Sequence, residues 1–187
     1  MKIDKNNPAW AILNDATPSH IAPWLNYKES MTAKVRALNP RTFTFNLRTE
    51  HTLNPSLFDQ SALELSNNEN VLIREIEMSH AGTRCLYGRT IIPAILLDGN
   101  SDFTTLGSNP IGDVLFKTPT RPFDRRCYCE LSPEDELFKA ATLALPHKPE
   151  SLWARYTLYP IAHSHLLIYE VFFPALLILE KSHALAI

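Results

Sequence analysis

Residues 71–93 constrain the fold of this chain more than any other stretch, because they predict a β-hairpin that carries charge on an apolar face. In the first predicted strand the even positions are apolar except for Arg74, and glutamates occupy odd positions. The turn is centred on Ala81-Gly82, and a loop of even length there places Arg74 and Arg89 roughly opposite each other. The sequence therefore predicts two arginines on one side of the sheet.

Two arginines that face each other repel unless an anion lies between them. A guanidinium away from solvent is stable when its donors are matched, and a carboxylate matches them in a fork geometry. Two interpretations stay open from the pattern alone: a binding site for an anionic small molecule, or arginines that pair with structural carboxylates. The register of the hairpin is also open by one residue, since Ala81 replaces the Asn or Asp that a two-residue turn prefers.

The size and charge of the chain limit the classes of function. Its 187 residues, 45% of them hydrophobic, are enough for one soluble domain with a sizeable core. We expect a single domain over 1–187, with an N-terminal extension at 1–22 and a C-terminal tail at 176–187. A net charge of −2 provides no overall positive field, which argues against nucleic acid as a partner.

Three cysteines, Cys85, Cys127 and Cys129, are too few for a disulfide framework. We expect free thiols in a reducing compartment. The first residues contain no apolar segment typical of a secretory signal, and the apolar stretch 166–179 is too short to cross a bilayer. These features predict a cytoplasmic protein without an integral membrane segment.

Alternating or β-rich patterns predict further strands at 42–48, 152–159 and 165–173. Both faces of the last strand are apolar, so it should be central in the sheet, and Glu170 is its single carboxylate. A glutamate at such a position either pairs with an arginine of the core or binds a ligand hydroxyl. Both alternatives stay open at this point.

Prolines divide the rest of the chain into short helices, with candidates at 9–14 and 23–38. A further helix should start at Asn109-Pro110, where a capping side chain precedes a proline. The free N–H groups at that end, including that of Ile111, would favour an anion or another acceptor.

Two other features bear on ligand binding. All five glycines of the chain lie between positions 82 and 112, a window in which the backbone can therefore approach a ligand closely. His163 and His165 have the spacing of neighbours on one face of a strand, but no third metal ligand lies at a recognisable distance. We therefore expect a small-molecule site rather than a metal site.

Six pieces of the sequence, in the same order along the chain, resemble the chorismate pyruvate-lyase family of bacterial ubiquinone synthesis. No single piece is diagnostic, but together they cover most of the chain. The pieces are Trp24-Leu with Ser30-Met-Thr, Leu72-Ile-Arg-Glu-Ile, Gly88-Arg-Thr-Ile-Ile-Pro, Leu106-Gly with Pro110-Ile-Gly and Leu115-Phe, Leu152-Trp-Ala-Arg, and Leu166-Leu-Ile-Tyr-Glu-Val-Phe-Phe-Pro.

This resemblance implies an α+β domain with a single antiparallel sheet of about six strands and helical flaps that cover a buried ligand site. It implies elimination of pyruvate from chorismate to give 4-hydroxybenzoate, without a cofactor. The carboxylate-binding arginine of the family falls on Arg74, and the glutamate that meets the ring hydroxyl falls on Glu170. Main-chain contacts from the flaps fall on Met31 and on Ile111, where the family more often has leucine.

The role of Arg89 is inferred from the hairpin pattern and not from the resemblance. Chorismate carries two carboxylates, so we expect Arg74 to bind the ring carboxylate and Arg89 the carboxylate of the departing side chain. Arg74, Glu170 and Arg89 are the predicted catalytic residues of a monomeric enzyme. A long segment between Phe123 and Leu152 and the C-terminal tail depart from the family pattern.

The main alternative is a non-catalytic sensor, because the effector domains of some bacterial transcription regulators share this fold. Such regulators carry an N-terminal DNA-binding domain. Only about forty residues, interrupted by prolines, precede the first predicted strand, which is too few for a helix-turn-helix module and a linker. A purely structural protein would leave the interior charges of Arg74, Arg89 and Glu170 unexplained.

Overall fold

Six antiparallel strands form one sheet in the computed structural model of this chain, which describes residues 10–12, 17–66, 69–98, 101–117, 123 and 125–184. The strands are β1 (Phe43–Leu53), β2 (Val71–His80), β3 (Thr83–Pro93), β4 (Arg125–Leu131), β5 (Leu152–Ile161) and β6 (Ser164–Phe172). They lie side by side in the order β1-β2-β3-β6-β5-β4. The prediction of an α+β fold with a single antiparallel sheet of about six strands is confirmed.

Helices cover both faces of the sheet. They are α1 (Ala22–Leu25), α2 (Met31–Leu38), α3 (Leu57–Leu63), α4 (Ala94–Asp98), α5 (Ser101–Thr104), α6 (Gly112–Leu115), α7 (Glu136–Ala141) and α8 (Pro174–Ala184). Side chains of α3 and α7 pack into a large apolar cluster on one face. On the other face α1, α2 and α8 form a second cluster, and α4 to α6 contribute to a third. The candidate site lies on this second face.

Two helix predictions need correction. The stretch 23–38 does not form one helix, because α1 ends at Leu25 and α2 begins at Met31. The hydroxyl of Ser30 caps α2 by accepting a hydrogen bond from the Ala33 N–H at 3.2 Å. The predicted helix at 9–14 lies partly outside the described residues. Within it, Ala11 forms an isolated β-bridge with Tyr128 instead, because its N–H and carbonyl satisfy the exposed edge of β4.

The helix predicted to start at Asn109-Pro110 begins later, at Gly112, with Ile111 in the capping position. The carbonyl oxygen of Asn109 accepts a hydrogen bond from Arg74 at 3.3 Å and so faces the sheet rather than a helical turn. A contact with a distant strand therefore shapes the loop before α6. Local capping preferences cannot predict such a contact.

The register of the central hairpin differs from the predicted one by a β-bulge. Ala81 and Gly82 both have positive φ, 48° and 78°, as a two-residue primed turn requires, so the turn is centred where the sequence predicts it. Met78 then pairs with Leu86, which leaves Cys85 as an extra residue in β3.

One extra residue in a strand sends every later side chain to the opposite face. Arg74 consequently lies opposite Thr90, while Arg89 lies opposite Glu75. The prediction that Arg74 and Arg89 face each other on one side of the sheet is therefore wrong.

The stretch expected as a C-terminal tail mostly forms α8, and residues 185–187 lie outside the described part. Leu176 is fully buried in the second apolar cluster. The Glu180 carboxylate accepts a hydrogen bond from the Trp24 indole N–H at 2.7 Å, which ties α8 to α1. Within the described ranges, no helix has the length and apolar character needed to span a membrane.

Candidate active site

A cavity lies between the second face of the sheet and the helical segments α2 and α6. Its empty space is about 600 Å³, including the part that opens to solvent. The strands contribute the polar side chains Arg74, Thr90, Arg155, Tyr159 and Glu170 to its wall, and α2 and the loop before it contribute Glu29 and Thr32. Apolar side chains, among them Met31, Phe45, Ile76, Met78, Leu86, Ile111, Leu115, Phe116 and Ile168, form the rest.

Arg74 supplies a buried positive charge to this cavity, with only 2% of its surface exposed. Its Nε lies 2.6 Å from Oε2 of Glu50 on the neighbouring strand β1, and its Nη2 donates to the Gly107 carbonyl at 2.5 Å and the Asn109 carbonyl at 3.3 Å. Burial lowers the pKa of Arg74 and Glu50 opposes that shift, but a guanidinium stays charged in either case. Nη1 makes no hydrogen bond to any described residue, so it is available to a ligand anion.

Glu170, the single carboxylate of β6, lines the same cavity and is paired with an arginine. Arg155, its cross-strand neighbour on β5, donates from Nε to the Glu170 carboxylate. Of the two alternatives left open for Glu170, the structure shows the pairing with an arginine, which comes from the neighbouring strand β5. The paired carboxylate also lines the cavity, and its contact with a ligand hydroxyl stays a prediction.

Arg155 is a site residue that the sequence reasoning missed. It is 1% exposed, and its Nη1 donates to the carbonyls of Trp24, Leu25 and Tyr27 at 3.1, 2.9 and 2.7 Å. These carbonyls belong to the last turn of α1 and the residues after it, so Arg155 joins the sheet to that helix. The signal that could have found it is the one used for Arg74, a single charge in an otherwise apolar strand.

A second buried arginine, Arg126, lies behind this pair. Its Nη1 donates to the Tyr27 carbonyl at 2.8 Å, its Nε to the Thr157 hydroxyl at 3.0 Å and its Nη2 to the Tyr159 hydroxyl at 3.3 Å. Burial lowers the pKa of Arg126, and the positive charge of Arg155 lowers it further. Two buried guanidinium groups and one carboxylate therefore lie close together, with Arg155 and Glu170 in the cavity wall and Arg126 behind them.

The strand register sets the distance between the two ends. Glu170 pairs with Gly88 on β3, whereas Arg74 pairs with Thr90, two residues further along β3. Strand spacing and rise place the Cα atoms of Arg74 and Glu170 about 12 Å apart on the same face. Gly88 lies between them on β3, and the Ile76 side chain packs against it so closely that a Cβ there would lie only 3.0 Å from Ile76.

The two flap residues predicted from the resemblance line the cavity from its other side. Met31 is the first residue of α2, and Ile111 directly precedes α6. The segments touch, since a Cβ on Gly112 would lie 3.1 Å from the Ser30 hydroxyl oxygen. The structure thus brings Arg74, Glu170, Met31 and Ile111 to one cavity.

Arg89 is not brought to this cavity. Its Nε and Nη2 donate to Oε1 of Glu75 at 3.0 and 2.7 Å, on the opposite face of the sheet. This ion pair is partly buried beneath the first apolar cluster. Arg89 therefore pairs with the carboxylate of Glu75, and its side chain does not line the cavity.

We predict that Arg89→Ala lowers the free energy of unfolding by about 1–3 kcal/mol, because Glu75 keeps a partly buried carboxylate without its partner. The change in kcat/KM for chorismate should stay within about threefold, since the two faces of the sheet share no side-chain contact here. Denaturant unfolding and steady-state kinetics check the two parts. A hundredfold loss of turnover in a folded variant would contradict this assignment.

Known structures share the fold at low sequence identity. The effector domain of PhnF from Mycobacterium smegmatis superimposes with a TM-score of 0.54 at 14% identity, covering 79% of this chain and 90% of that domain. A GntR-family transcriptional regulator from Bacillus cereus gives a TM-score of 0.52 at 10% identity over 72% of this chain and 93% of the regulator. At such identities the likeness concerns the fold alone.

Sequence relatives extend over most of the chain. A probable chorismate pyruvate-lyase from Aromatoleum aromaticum is 30% identical over 86% of this chain and 88% of the relative. A chorismate pyruvate-lyase from Pectobacterium carotovorum is 29% identical over 84% of this chain and 78% of the relative. The family model for chorismate lyase matches residues 5–182, and the chain therefore belongs to the chorismate lyase family.

Proposed function

We propose that this chain eliminates pyruvate from chorismate to give 4-hydroxybenzoate, as the first step of bacterial ubiquinone synthesis. The observation that carries the proposal is the placement of Arg74 and of the Arg155–Glu170 pair at two ends of one cavity, in a chain of the chorismate lyase family. We further expect a cytoplasmic monomer that needs no cofactor.

The two ends of the cavity match the two ends of the chorismate ring. The ring carboxylate and the C4 hydroxyl lie on opposite sides of a six-membered ring, and the enolpyruvyl ether is attached to C3, next to C4. Arg74 would bind the ring carboxylate through Nη1, which the described residues leave unused. Glu170 would accept a hydrogen bond from the C4 hydroxyl, and the main chain at Met31 and Ile111 would close over the ring.

The reaction needs little covalent help from the protein. The C3–O bond breaks, the proton on C4 is lost, and the electron pair of the C4–H bond completes the aromatic ring. The leaving enolpyruvate takes up a proton and becomes pyruvate. The chain would contribute orientation and charge stabilisation, with Glu170 close to the carbon that loses its proton.

A non-catalytic ligand-binding module remains the second candidate, because the structural neighbours are regulator domains. Their likeness supports a common fold, and the sequence relatives that cover most of this chain are lyases. A sensor would bind an aromatic acid in the same cavity without turning chorismate over.

Incubation of the purified chain with chorismate tests the proposal directly. We expect pyruvate and 4-hydroxybenzoate to appear in equal amounts, measured by coupled reduction of pyruvate and by chromatography of the aromatic acid. A parallel incubation with chelator should give the same rate. Binding of 4-hydroxybenzoate without any product from chorismate would favour the sensor, and loss of turnover with chelator would indicate a metal.

A further inference from the structure

Arg155 has one donor group left over, and this inference about it rests on the proposed function. Its Nε donates a hydrogen bond to Glu170 and its Nη1 donates to three carbonyls, whereas Nη2 donates to no residue that the structure describes. The side chain is nearly fully buried and lines the cavity. A buried N–H group beside a cavity favours an acceptor from a ligand.

The charge at this end of the cavity also favours an anion. Arg155 and Arg126 are both buried and both donate to the Tyr27 carbonyl, and Glu170 pairs with Arg155, so these three groups together carry one excess positive charge. Glu29 also lines the cavity, but its side chain is exposed and its charge is screened by water. A positive charge away from solvent is stabilised when a ligand carboxylate supplies the missing partner.

The chemistry of the substrate places a carboxylate next to this group. If Glu170 accepts the hydrogen bond of the C4 hydroxyl, the ether on the adjacent C3 lies beside Arg155. We propose that Arg155 binds the carboxylate of the enolpyruvyl side chain through Nη2, the part that the sequence pattern assigned to Arg89. Arg155 thereby distinguishes the dicarboxylate substrate from the monocarboxylate product, which loses this contact once the C3–O bond is broken.

Two unreactive ligands that differ in a carboxylate in place of a methyl group test this assignment. One is 4-hydroxybenzoate with a carboxymethoxy group at C3, which carries a second carboxylate on an ether, and the other has a neutral ethoxy group at C3. Calorimetry should show that the wild-type chain binds the carboxymethoxy ligand about 10- to 100-fold more tightly than the ethoxy ligand, the range of a hydrogen bond to a charged group. Equal affinity of the two ligands would overturn the proposal.

Matched variants show whether Arg155 is the source of that preference. Arg155→Gln should bring the affinity ratio of the two ligands close to one and lower kcat/KM for chorismate, while the affinity for 4-hydroxybenzoate changes much less. Arg126→Gln is the control, because it also removes a buried charge and a bond to the Tyr27 carbonyl but does not line the cavity. The control should keep the ligand preference.

The outcomes separate this inference from the proposed function. A ratio that persists in folded Arg155→Gln, or that falls equally in Arg126→Gln, overturns the assignment to Arg155. If Arg155→Gln does not fold, Arg155→Lys replaces it, because the ammonium keeps the charge beside Glu170 but lacks the planar fork that reaches Glu170, the carbonyls and the ligand together, and a partial loss of the preference is expected. Turnover of chorismate together with equal affinity for both ligands would reject the role of Arg155 but not the proposed function. No turnover and no binding of 4-hydroxybenzoate would reject the proposed function itself.

Discussion

Arg74→Ala is expected to weaken the binding of 4-hydroxybenzoate by about 2–5 kcal/mol, or roughly 30- to 5000-fold. The reason is that Arg74 is almost fully buried, so a ligand carboxylate that meets it is desolvated and loses a charged hydrogen bond when the guanidinium is removed. Chorismate turnover should fall together with product affinity, since the ring carboxylate is common to both molecules. Calorimetry and steady-state kinetics on the same preparation measure the two effects.

Two further variants make this test specific. Arg74→Lys keeps the charge but not the fork geometry, so it should recover only part of the lost affinity. Arg89→Ala removes an arginine at a comparable position on the opposite face and should leave product affinity nearly unchanged. Unchanged binding of 4-hydroxybenzoate in folded Arg74→Ala would remove Arg74 from the site.

Glu170→Gln is expected to lower the free energy of unfolding by about 3–5 kcal/mol, and the melting temperature by about 6–20 °C. The substitution keeps the shape of the side chain but removes the charge that Arg155 contacts, which leaves two buried guanidinium groups without a carboxylate. Turnover should also fall, because an amide cannot take up a proton as a carboxylate can. Thermal and denaturant unfolding measure the stability, and the chorismate assay measures the turnover.

Glu130 offers a matched control on the edge strand β4, which pairs with β5. It is exposed and accepts a hydrogen bond from the Ser151 hydroxyl at 2.5 Å, so Glu130→Gln should change the unfolding free energy by no more than about 0.5 kcal/mol. Equal stability of Glu170→Gln and the wild type would mean that the surrounding carbonyls alone hold Arg155. A variant that stays stable but loses turnover would separate the catalytic role of Glu170 from its structural role.

The error about Arg89 and the failure to identify Arg155 have one physical origin. The alternation of β2 identified Arg74 as an interior charge, but the partner of a strand residue depends on register, which one extra residue at Cys85 shifts. In the same way, Glu170 stood out in an apolar strand, but its partner Arg155 lies on a strand that it meets only in the folded sheet. Local pattern finds an interior charge; the tertiary pairing decides what neutralises it.

The sequence by itself determined most of the local elements: the positions of five of the six strands, though not of β4, the turn at Ala81-Gly82 and the central place of β6. These follow from alternation and from backbone preference, which act over a few residues. Only the tertiary structure decided which charges share the cavity, because cross-strand pairing, the bulge and the packing of α1 and α8 join residues far apart in the chain. The bulge is why Arg89 faces the first apolar cluster, and the pairing of β5 with β6 is why Arg155 is the second arginine of the site.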